Sequence, residues 1–395
     1  MPYTTASFDV NVNPDGFVVD LGSLYDHLCD VTDCRHARGV RYSLVSILIC
    51  VVLAKLAGED HIAGIAHWVA LRKDALATVL HWDVPRAPDR STYSRILGKV
   101  INVDEFERVV REFFAGQPGA GKSTRVCVDG KTMRGTIPAG QSHGQHLLGV
   151  FLPEEGWMVV QVEVGSKENE ITAAPRVLSA LDVRGKVVTG DAIFAQRALS
   201  VQIVEAGGDY LWTVKENQPQ LYQDIATLFE RESCVTGFAP ARKDLRTIES
   251  VEKGHGRIER RTLTASTELK GYIDWPFGEQ VYRLERHVTR VADGKITHNV
   301  TYGISSLTSG KADAKRLLDI KRGHWGIENG SHYRRDQTLR EDWCHLRKGH
   351  APRMMAAINN LILKLLLGHG VTNVPEARRQ YAACWQDALP LLLRC

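Results

Sequence analysis

Three carboxylates stand out because each lies in a short block that joins an acidic side chain to other polar groups. Asp129 lies in VCVDGKTMRGT, Asp191 lies in VVTGDAIFAQ, and Glu328 lies in HWGIENGSHYRRDQTLRED. The first two follow apolar, strand-like runs, and the third lies in a basic, helix-like stretch. Three carboxylates can hold two divalent cations, and such a pair clamps the attacking and leaving oxygens of a phosphodiester during in-line displacement. The blocks therefore predict a two-metal site for phosphodiester chemistry.

Cationic side chains lie close to these carboxylates. Lys131 and Arg134 follow Asp129 within DGKTMRG, and residues 311–353 hold 11 Lys/Arg against 6 Asp/Glu, although the whole chain carries only +4. Around Glu328, three cationic side chains stand at i−4, i+4 and i+7, which is one face of a regular α-helix. They are His324, His332 and Arg335. A cationic rim beside metal-binding carboxylates suits a polyanionic substrate.

Each block also has an ordinary structural interpretation. An aspartate that precedes a glycine or a helix is often a turn residue or an N-cap, which applies to Asp129 and Asp191. A glutamate in a charged helix is commonly a solvated surface residue. His324, Glu328 and His332 also resemble a zinc-binding face, although no third histidine or metalloprotease spacing accompanies them. The third carboxylate has two alternative sources downstream, Glu341 and Asp342.

Two further polar blocks have strand-like surroundings. DYLWTVKENQPQL ends a strand at Lys215 and places Asn217 where a helix begins. These side chains are suited to contacts with a DNA backbone, and Asn217 is equally suited to cap the helix. HGRIERR supplies His255 and Arg257, which indicate either a DNA-facing hairpin or a charged edge strand protected against aggregation.

One motif is discounted. Residues 116–123, GQPGAGKS, fit the phosphate-binding pattern G-x-x-x-x-G-K-[ST] from Gly116 to Ser123. A working phosphate loop needs a strand before it and a helix after it, so that backbone N–H groups converge on the phosphates. Here the helix-like DEFERVVREFFA precedes the motif and the strand-like RVCVD follows it. We therefore expect a linker and no bound nucleotide.

Composition restricts the class of protein. The chain has 395 residues, of which 44% are apolar and 24% charged, as in a globular protein of two or three domains. The start of the sequence lacks a secretory signal, and the apolar run LVSILICVVLA at 44–54 is too short to span a bilayer. It predicts a buried helix. The eight cysteines form no C-x-x-C pair. We therefore expect a reducing, cytoplasmic environment and no membrane partner.

The elements that must position the carboxylates change in character along the chain. Residues 1–118 show helical periodicity, and after the linker short strands alternate with helices. The order from Arg125 onward is β-β-β-α-β-α-β-α, which is that of a ribonuclease-H-like α/β fold. In that fold the first and fourth strands are neighbours, so Asp129 and Asp191 are expected to meet at one edge of the sheet.

The distance to Glu328 requires additional structure. Residues 240–306 are β-patterned and predict two hairpins, the second turning at Asp293 and Gly294. We interpret them as a β-rich insertion in a catalytic domain of residues 119–370. A helix is expected from about Lys311 through Glu328, and another over RMMAAINNLILKLLLG. Residues 371–395 form a C-terminal tail in this scheme, and residues 1–118 form a helical domain that we expect to bind DNA.

Several of these blocks, in this order, resemble one family. DGKTMRG, the stretch from EVGSKENEITAAP to GGDYLWTVKENQ, HGRIERR and RGHWGIENGSHYRRDQTLREDWCHLR are similar to blocks of the DDE transposases of the ISAs type, also called H-repeat-associated proteins. The N-terminal YSLVSILICVVLAKLAGEDHIAGIAHW and DRSTYSRIL resemble that family's associated helical domain. The resemblance covers about residues 42–367.

The resemblance implies a function and the roles of several residues. Asp129, Asp191 and Glu328 would be a D-D-E triad that binds two Mg²⁺ or Mn²⁺ ions. The protein would cut the ends of a bacterial insertion sequence and join them to target DNA, as a homodimer or larger synaptic complex associated with the nucleoid. A nuclease-only or DNA-binding derivative is the alternative. Related enzymes often carry Tyr-x-x-Arg before the glutamate and Lys after it, where this chain has Lys321, His324 and Arg335.

Overall fold

The computed structural model describes residues 11–12, 18–19, 22–82, 85–118, 120–165, 168–230 and 244–393. The chain divides into two compact units. The first unit comprises residues 1–122, 133–145 and 333–395, and the second comprises residues 123–132 and 146–332. None of the described helices combines the length and the apolar character that crossing a membrane requires.

The described helices, in chain order, are α1 Leu24–Leu28, α2 Leu44–Leu56, α3 Ile62–Leu71, α4 Lys73–Val79, α5 Arg90–Arg95, α6 Val103–Ala115, α7 Glu170–Ser179, α8 Arg197–Glu205, α9 Pro219–Glu230, α10 Ala314–His324, α11 Ala351–Gly368 and α12 Val374–Ala383. The described strands are β1 Asn11–Val12, β2 Val18–Val19, β3 Arg125–Thr132, β4 His146–Leu152, β5 Trp157–Val164, β6 Val187–Gly190, β7 Asp209–Val214, β8 Arg246–Gly254, β9 Arg257–Ser266, β10 Gln280–Arg290 and β11 Ile296–Ser305.

The first unit is built around the apolar helix α2. Its hydroxyl cap, Ser43, accepts a hydrogen bond from the backbone N–H of Ser46, and nearly every residue from Leu44 to Leu56 is buried. A helix that is apolar on all sides must lie inside a core. The prediction of a buried helix over residues 44–54 is therefore confirmed. Even Lys55 is fully buried, where its ammonium lies 3.2 Å from the carboxylate of Asp60.

The second unit is a mixed α/β structure with a nine-stranded sheet in the order β5-β4-β3-β6-β7-β11-β10-β9-β8. The predicted element order is confirmed, and β3 and β6, the first and fourth strands of this unit, are parallel neighbours. The central strands β4 and β6 are almost wholly buried. Their unbroken apolar runs are typical of strands that helices cover on both faces.

The β-patterned segment extends this same sheet. β8 pairs with β9, β10 pairs with β11, and β11 joins β7 in antiparallel register. Both predicted hairpins are confirmed, and Gly294 in the second turn has a φ of +68°, which glycine adopts without strain. The distal half of β11, residues 296–300, is exposed. These strands therefore reach beyond the layers of helices.

Helices cover the two faces of the sheet differently. Leu317, Leu318 and Ile320 of α10 are buried against Leu211 of β7 and Leu263 of β9. On the opposite face, the indole of Trp212 in β7 donates to the hydroxyl of Ser200 in α8. Residues of one strand alternate between the faces, so Leu211 and Thr213 point toward α10 while Trp212 points toward α8. The same alternation assigns the side chains of the site to the α10 face.

The chain does not continue beyond α10 as one regular α-helix. Residues Glu328–His332 and Arg334–Thr338 form two wide π-helical turns. Such turns insert an extra residue into the helical repeat and are frequent at functional sites. The expectation that His324, Glu328, His332 and Arg335 share one face of a regular helix is therefore wrong.

Candidate active site

The parallel register of β3 and β6 brings two aspartates together. Val128 and Gly190 are the last paired residues of the two strands, so Asp129 and Asp191 occupy the next position on each. A Cβ atom at Gly190 would lie 2.7 Å from the ring of Phe194, because the chain folds back tightly after β6. Glycine at this position allows Asp191 to leave the strand beside Asp129.

Asp129 differs from Asp191 in its backbone. β3 continues three residues further, to Thr132, because its other edge pairs with β4 and places Asp129 opposite Gly149. Asp129 therefore lies within a strand rather than at its end, whereas Asp191 begins a loop. The paired strand holds the Asp129 backbone on both sides of the carboxylate.

Asp129, Glu328 and His332 form one group. Each offers a ligand atom, and these atoms all lie within 4.8 Å of one another. The His332 Nε2 atom is 3.3 Å from Oδ2 of Asp129. Asp129 is half-buried, Glu328 is exposed and His332 is buried. The group therefore opens to solvent on the side of Glu328 and is closed by the imidazole.

Packing of the first wide turn, at residues 328–332, against the sheet places this group. Ile327 is 2% exposed and lies in a small apolar cluster with Cys127, Phe151 and Met158 of the first three strands of the unit. A Cβ atom at Gly330 would lie 2.8 Å from the Phe151 ring. The backbone thus approaches the sheet closely, and Glu328, next to buried Ile327, is set above β3.

Asp191 has a different histidine. The His324 Nε2 atom lies 3.6 Å from Oδ1 of Asp191, and His324 Nδ1 shares a 3.1 Å hydrogen bond with the hydroxyl of Thr189. Contact with His324 lowers the pKa of the Asp191 carboxyl, and the charges of Lys321 and Lys215 act in the same direction. Asp191 therefore stays ionised at lower pH than an ordinary aspartate.

Lys321 is a basic neighbour of Asp191 whose pKa is changed by burial. Burial lowers the pKa of its ammonium, since desolvation disfavours the charged form, while Asp191 opposes this shift. Its Nζ atom donates to the hydroxyl of Thr213. Lys321 is thus held beside Asp191 on the α10 face of the sheet.

Asn217 has a role that the sequence did not indicate. Its amide donates to the carbonyl of Ala192 at 2.7 Å, and the amide of Gln218 donates to the carbonyl of Ala195 at 2.9 Å. Both bonds hold the turn that follows Asp191. Asn217 and Gln218 thus act as amide donors to the turn that follows Asp191. No local sequence signal links the two segments, because only the adjacency of β6 and β7 brings them together.

A cleft of about 840 Å³ lies beside Asp191 on the α10 face. Its described lining holds eight basic side chains against three acidic ones. The basic residues are Arg125, Lys215, Arg257, Arg261, Arg286, Arg316, Lys321 and Arg322. Of the residues predicted to bind DNA, Lys215 and Arg257 line this cleft. Arg286 was missed, because only the register that pairs it with Arg261 shows that it faces the same cleft.

The other predicted contacts lie elsewhere. His255 is exposed at the β8–β9 turn with a φ of +49°, and Lys131 is buried at 8% exposure. In the first unit, the Arg134 side chain is exposed and its backbone N–H donates to Asp342. Arg335 is 1% exposed and forms a two-bond ion pair with Glu341. The Arg335 guanidinium is therefore bonded to Glu341. Glu341 and Asp342, the alternative third carboxylates, thus already have protein partners.

The donor set of the group around Asp129 fits a divalent cation. Among the residues that the structure describes, neither ring nitrogen of buried His332 has a hydrogen-bond partner. Burying a polar atom without a partner is costly, and a cation held with Asp129 and Glu328 would give one of these nitrogens a partner. Carboxylate oxygens suit Mg²⁺ and Mn²⁺, and an imidazole favours transition metals. His324 contacts Asp191 and does not form a zinc-binding group with Glu328 and His332.

The second unit thus brings together carboxylates on two adjacent strands, a third carboxylate from the wide turn at residues 328–332 and a basic cleft. The chain belongs to the family described as "Transposase DDE domain", which matches residues 120–365. A second family, described as "DDE_Tnp_1-associated", matches residues 25–114. The resemblance to DDE transposases of the H-repeat-associated type is confirmed.

Relatives extend along most of the chain. YncI of Escherichia coli O157:H7, provisionally named a transposase, is 29% identical over 356 residues, which are 88% of each chain. YhhI of Escherichia coli K12, provisionally named an H repeat-associated transposase, is 26% identical over 92% of this chain and 96% of its own length. Among solved structures, a piggyBac transposase synaptic complex with hairpin DNA matches 92% of this chain and 77% of its own, with 12% identity and a TM-score of 0.43.

Proposed function

We propose that the protein is a DNA transposase that cleaves the ends of a bacterial insertion sequence and joins them to target DNA. The catalytic domain is ribonuclease-H-like, with β8–β11 as its β-rich insertion, and Asp129, Asp191 and Glu328 are the D-D-E triad. One observation carries the proposal. Asp129, Glu328 and His332 converge within 4.8 Å, and the strand register sets Asp191 next to Asp129.

The residues divide the work of metal binding. Asp129, Glu328 and His332 would hold one Mg²⁺ or Mn²⁺ ion, and Asp191 on the neighbouring strand would help to hold a second ion. When bound, the ions supply Lewis-acid activation of the attacking oxygen and neutralise charge at the leaving 3′-oxygen. His324 keeps Asp191 ionised and ready to bind metal. Asn217 and Gln218 hold the turn after Asp191, which orients that carboxylate.

The basic cleft is the proposed DNA-binding surface. Phosphates are bound chiefly by Arg and Lys, which fix the position of a nucleic acid without reading its sequence. Arg257 and Arg286 on the extended strands would hold the DNA backbone, and Lys215 and Lys321 would hold the phosphate beside Asp191. Buried Glu259 supports this surface, because it pairs with Arg261 at 2.9 Å and with Arg286. The second unit thus combines carboxylates and a polyanion-binding wall on one face.

An in vitro reaction tests the proposal. Labelled DNA ends, a target plasmid and Mg²⁺ are incubated with the chain and with its Asp129→Asn and Asp191→Asn variants. The unaltered chain is expected to give joined products, and both variants are expected to bind DNA without cutting it. Asp182→Asn is the matched control, since Asp182 is a surface residue paired with Arg184. Cleavage by either triad variant at the rate of the control would overturn the triad.

The same reaction separates the alternative functions. Cut ends without joined products would identify a nuclease, and binding without cutting would identify a DNA-binding derivative. We further propose that synapsis of two DNA ends requires two copies of the chain, in the bacterial cytoplasm at the nucleoid. Gel filtration with and without end DNA measures that assembly.

A further inference from the structure

A second group of metal-ligating side chains lies on the β10–β11 hairpin. Glu285 and His287 are two residues apart on β10 and therefore share one face of the sheet. His298 of β11 is the direct register partner of His287 and points to the same face. That face is opposite the basic cleft, because Arg286, which lies between Glu285 and His287, and its register partner Asn299 line the cleft.

The three side chains are already close. Oε2 of Glu285 lies 3.5 Å from Nε2 of His298 and 3.9 Å from Nε2 of His287. One ligand atom of each residue lies within 4.8 Å of the others. The two imidazole rings stack with centroids 4.1 Å apart and an interplanar angle of 16°. Both rings therefore direct the same nitrogen toward the same carboxylate oxygen.

The remaining contacts orient this carboxylate. The guanidinium of Arg283 lies 2.9 Å from Oε1, the other oxygen of Glu285. Oε2 therefore faces the histidines. An outer partner of this kind commonly fixes the direction of a metal-binding carboxylate. Arg260, the β9 register partner of His287, carries a positive charge on the same face, and Glu249 lies 3.6 Å from it. The charge of Arg260 is thus offset by its own partner.

We propose that Glu285, His287 and His298 bind one transition-metal ion, of the Zn²⁺ class. Two imidazoles and one carboxylate are a recurrent ligand set for zinc, with water in the fourth position. The side chains are 26%, 42% and 45% exposed, so an ion and its water can enter from solvent. Binding requires the stacked rings to turn until their lone pairs converge on the ion.

Binding of the ion would restrict the motion of the β10–β11 hairpin. The ion joins β10 to β11 in the part of the hairpin that extends beyond the helices, where residues 296–300 of β11 are exposed. Arg286 and Asn299 project from the same segment into the basic cleft, so the ion would fix the wall from which they project. The site lies on strands distinct from those of the triad, and the proposal does not depend on catalysis.

Co²⁺ titration of the full chain in excess Mg²⁺ tests the site, because Co²⁺ bound by imidazole gives a visible absorption spectrum and Mg²⁺ occupies sites made of oxygen ligands. The chains compared are the unaltered protein, a His287→Asn/His298→Asn variant and a control variant, His67→Asn, which replaces an exposed histidine of α3. The double variant is expected to lose one Co²⁺ equivalent, or to bind it more than about 100-fold more weakly, the upper range for loss of an outer partner. The control is expected to match the unaltered chain.

A His332→Gln variant distinguishes this site from the group around Asp129. It is expected to keep the Co²⁺ absorption of the β10–β11 site. Loss of that site is therefore distinguishable from loss of the site around Asp129. Zn²⁺ should also raise the unfolding temperature of the unaltered chain and of the control more than that of the double variant, since a ligand that binds only the folded state stabilises it. Equal Co²⁺ uptake and equal Zn²⁺ stabilisation in the control and double variants would overturn the proposal.

Discussion

Glu328 and Glu341 come from one short segment of sequence, and both are candidates for the third carboxylate, yet their surroundings are opposite. Glu328 is exposed, lies next to buried Ile327 and shares a ligand group with Asp129. Glu341 is fully buried, receives two hydrogen bonds from Arg335 and accepts another from the amide of Asn359. One carboxylate is open to a ligand, whereas the other is saturated by protein donors.

The difference separates binding from stability. A buried carboxylate must be paired, because desolvation of an isolated charge costs far more than a typical contact returns. Glu341 is held by such pairing and has no free oxygen lone pair directed at solvent. Glu328 makes no comparable ion pair with protein in the described chain, so its oxygens are available to a cation. Two experiments test this contrast directly, and three more test the groups that surround the proposed site.

The largest expected effect is on catalysis by Glu328→Gln. Removing the charge should lower the rate of DNA cleavage by at least about 10³-fold, since metal-ion charge stabilisation contributes several kcal/mol. The free energy of unfolding should change by no more than about 0.5 kcal/mol, as for an exposed position. Single-turnover cleavage and urea unfolding measure the two effects. Unimpaired cleavage would remove Glu328 from the triad.

Glu341→Gln should have the reverse effect. Breaking a buried ion pair leaves the Arg335 guanidinium without its counter-charge, which costs about 3–5 kcal/mol of folding free energy. Urea unfolding of the variant measures this cost. An Arg335→Met/Glu341→Leu double variant should recover much of the loss, because it removes both charges together. A loss below about 1 kcal/mol in the single variant would contradict the structural role.

The two histidines should differ in metal affinity. His332→Gln removes a proposed ligand and is expected to weaken Mn²⁺ binding by at least about 10–100-fold, the range for loss of an outer partner. His324→Gln should have a smaller effect, since His324 is already bonded to Thr189. Calorimetric Mn²⁺ titration measures both. Equal losses of Mn²⁺ affinity in the two variants would contradict the assignment of His332, rather than His324, as a ligand.

Arg257→Ala tests the cleft. One lost phosphate contact should weaken DNA binding at all sequences and reduce the slope of log K against log salt by about 1. Fluorescence anisotropy over a range of salt concentrations measures the slope. Arg184→Ala is the control, since Arg184 pairs with Asp182 on the surface and does not line the cleft. An unchanged slope for Arg257→Ala would exclude a phosphate contact there.

The smallest expected effect is on the titration of Asp191. Its folded-state pKa is lowered chiefly by His324, so its contribution to stability is present above the unfolded pKa and is lost as pH falls through the folded pKa. His324→Asn should therefore raise the Asp191 pKa and move the acidic limb of the cleavage rate to higher pH. Carbon-13 NMR of the carboxyl measures the shift. Asp182, whose pKa Arg184 lowers, should titrate unchanged.

Much of the second unit could be predicted because its signals are local. Apolar runs of four to eight residues gave the strands, and their order gave the adjacency of β3 and β6. The side-chain environments could not be predicted in this way. Lys131 lies in a polar stretch that is typical of the surface, but its side chain is buried. The amides of Asn217 and Gln218 donate to carbonyls that only the pairing of strands in the sheet brings near.

Sequence by itself determined the family, through the resemblance of several blocks in fixed order. It also determined the order of elements and the positions of the carboxylates along the chain, because these depend on residue type and periodicity. Tertiary structure alone decided that Glu328 is open and Glu341 saturated, that β8–β11 continue the main sheet, and that His287 faces His298. These outcomes depend on register and on the wide turns beyond α10. Both are set by contacts between distant segments, for which local sequence carries no signal.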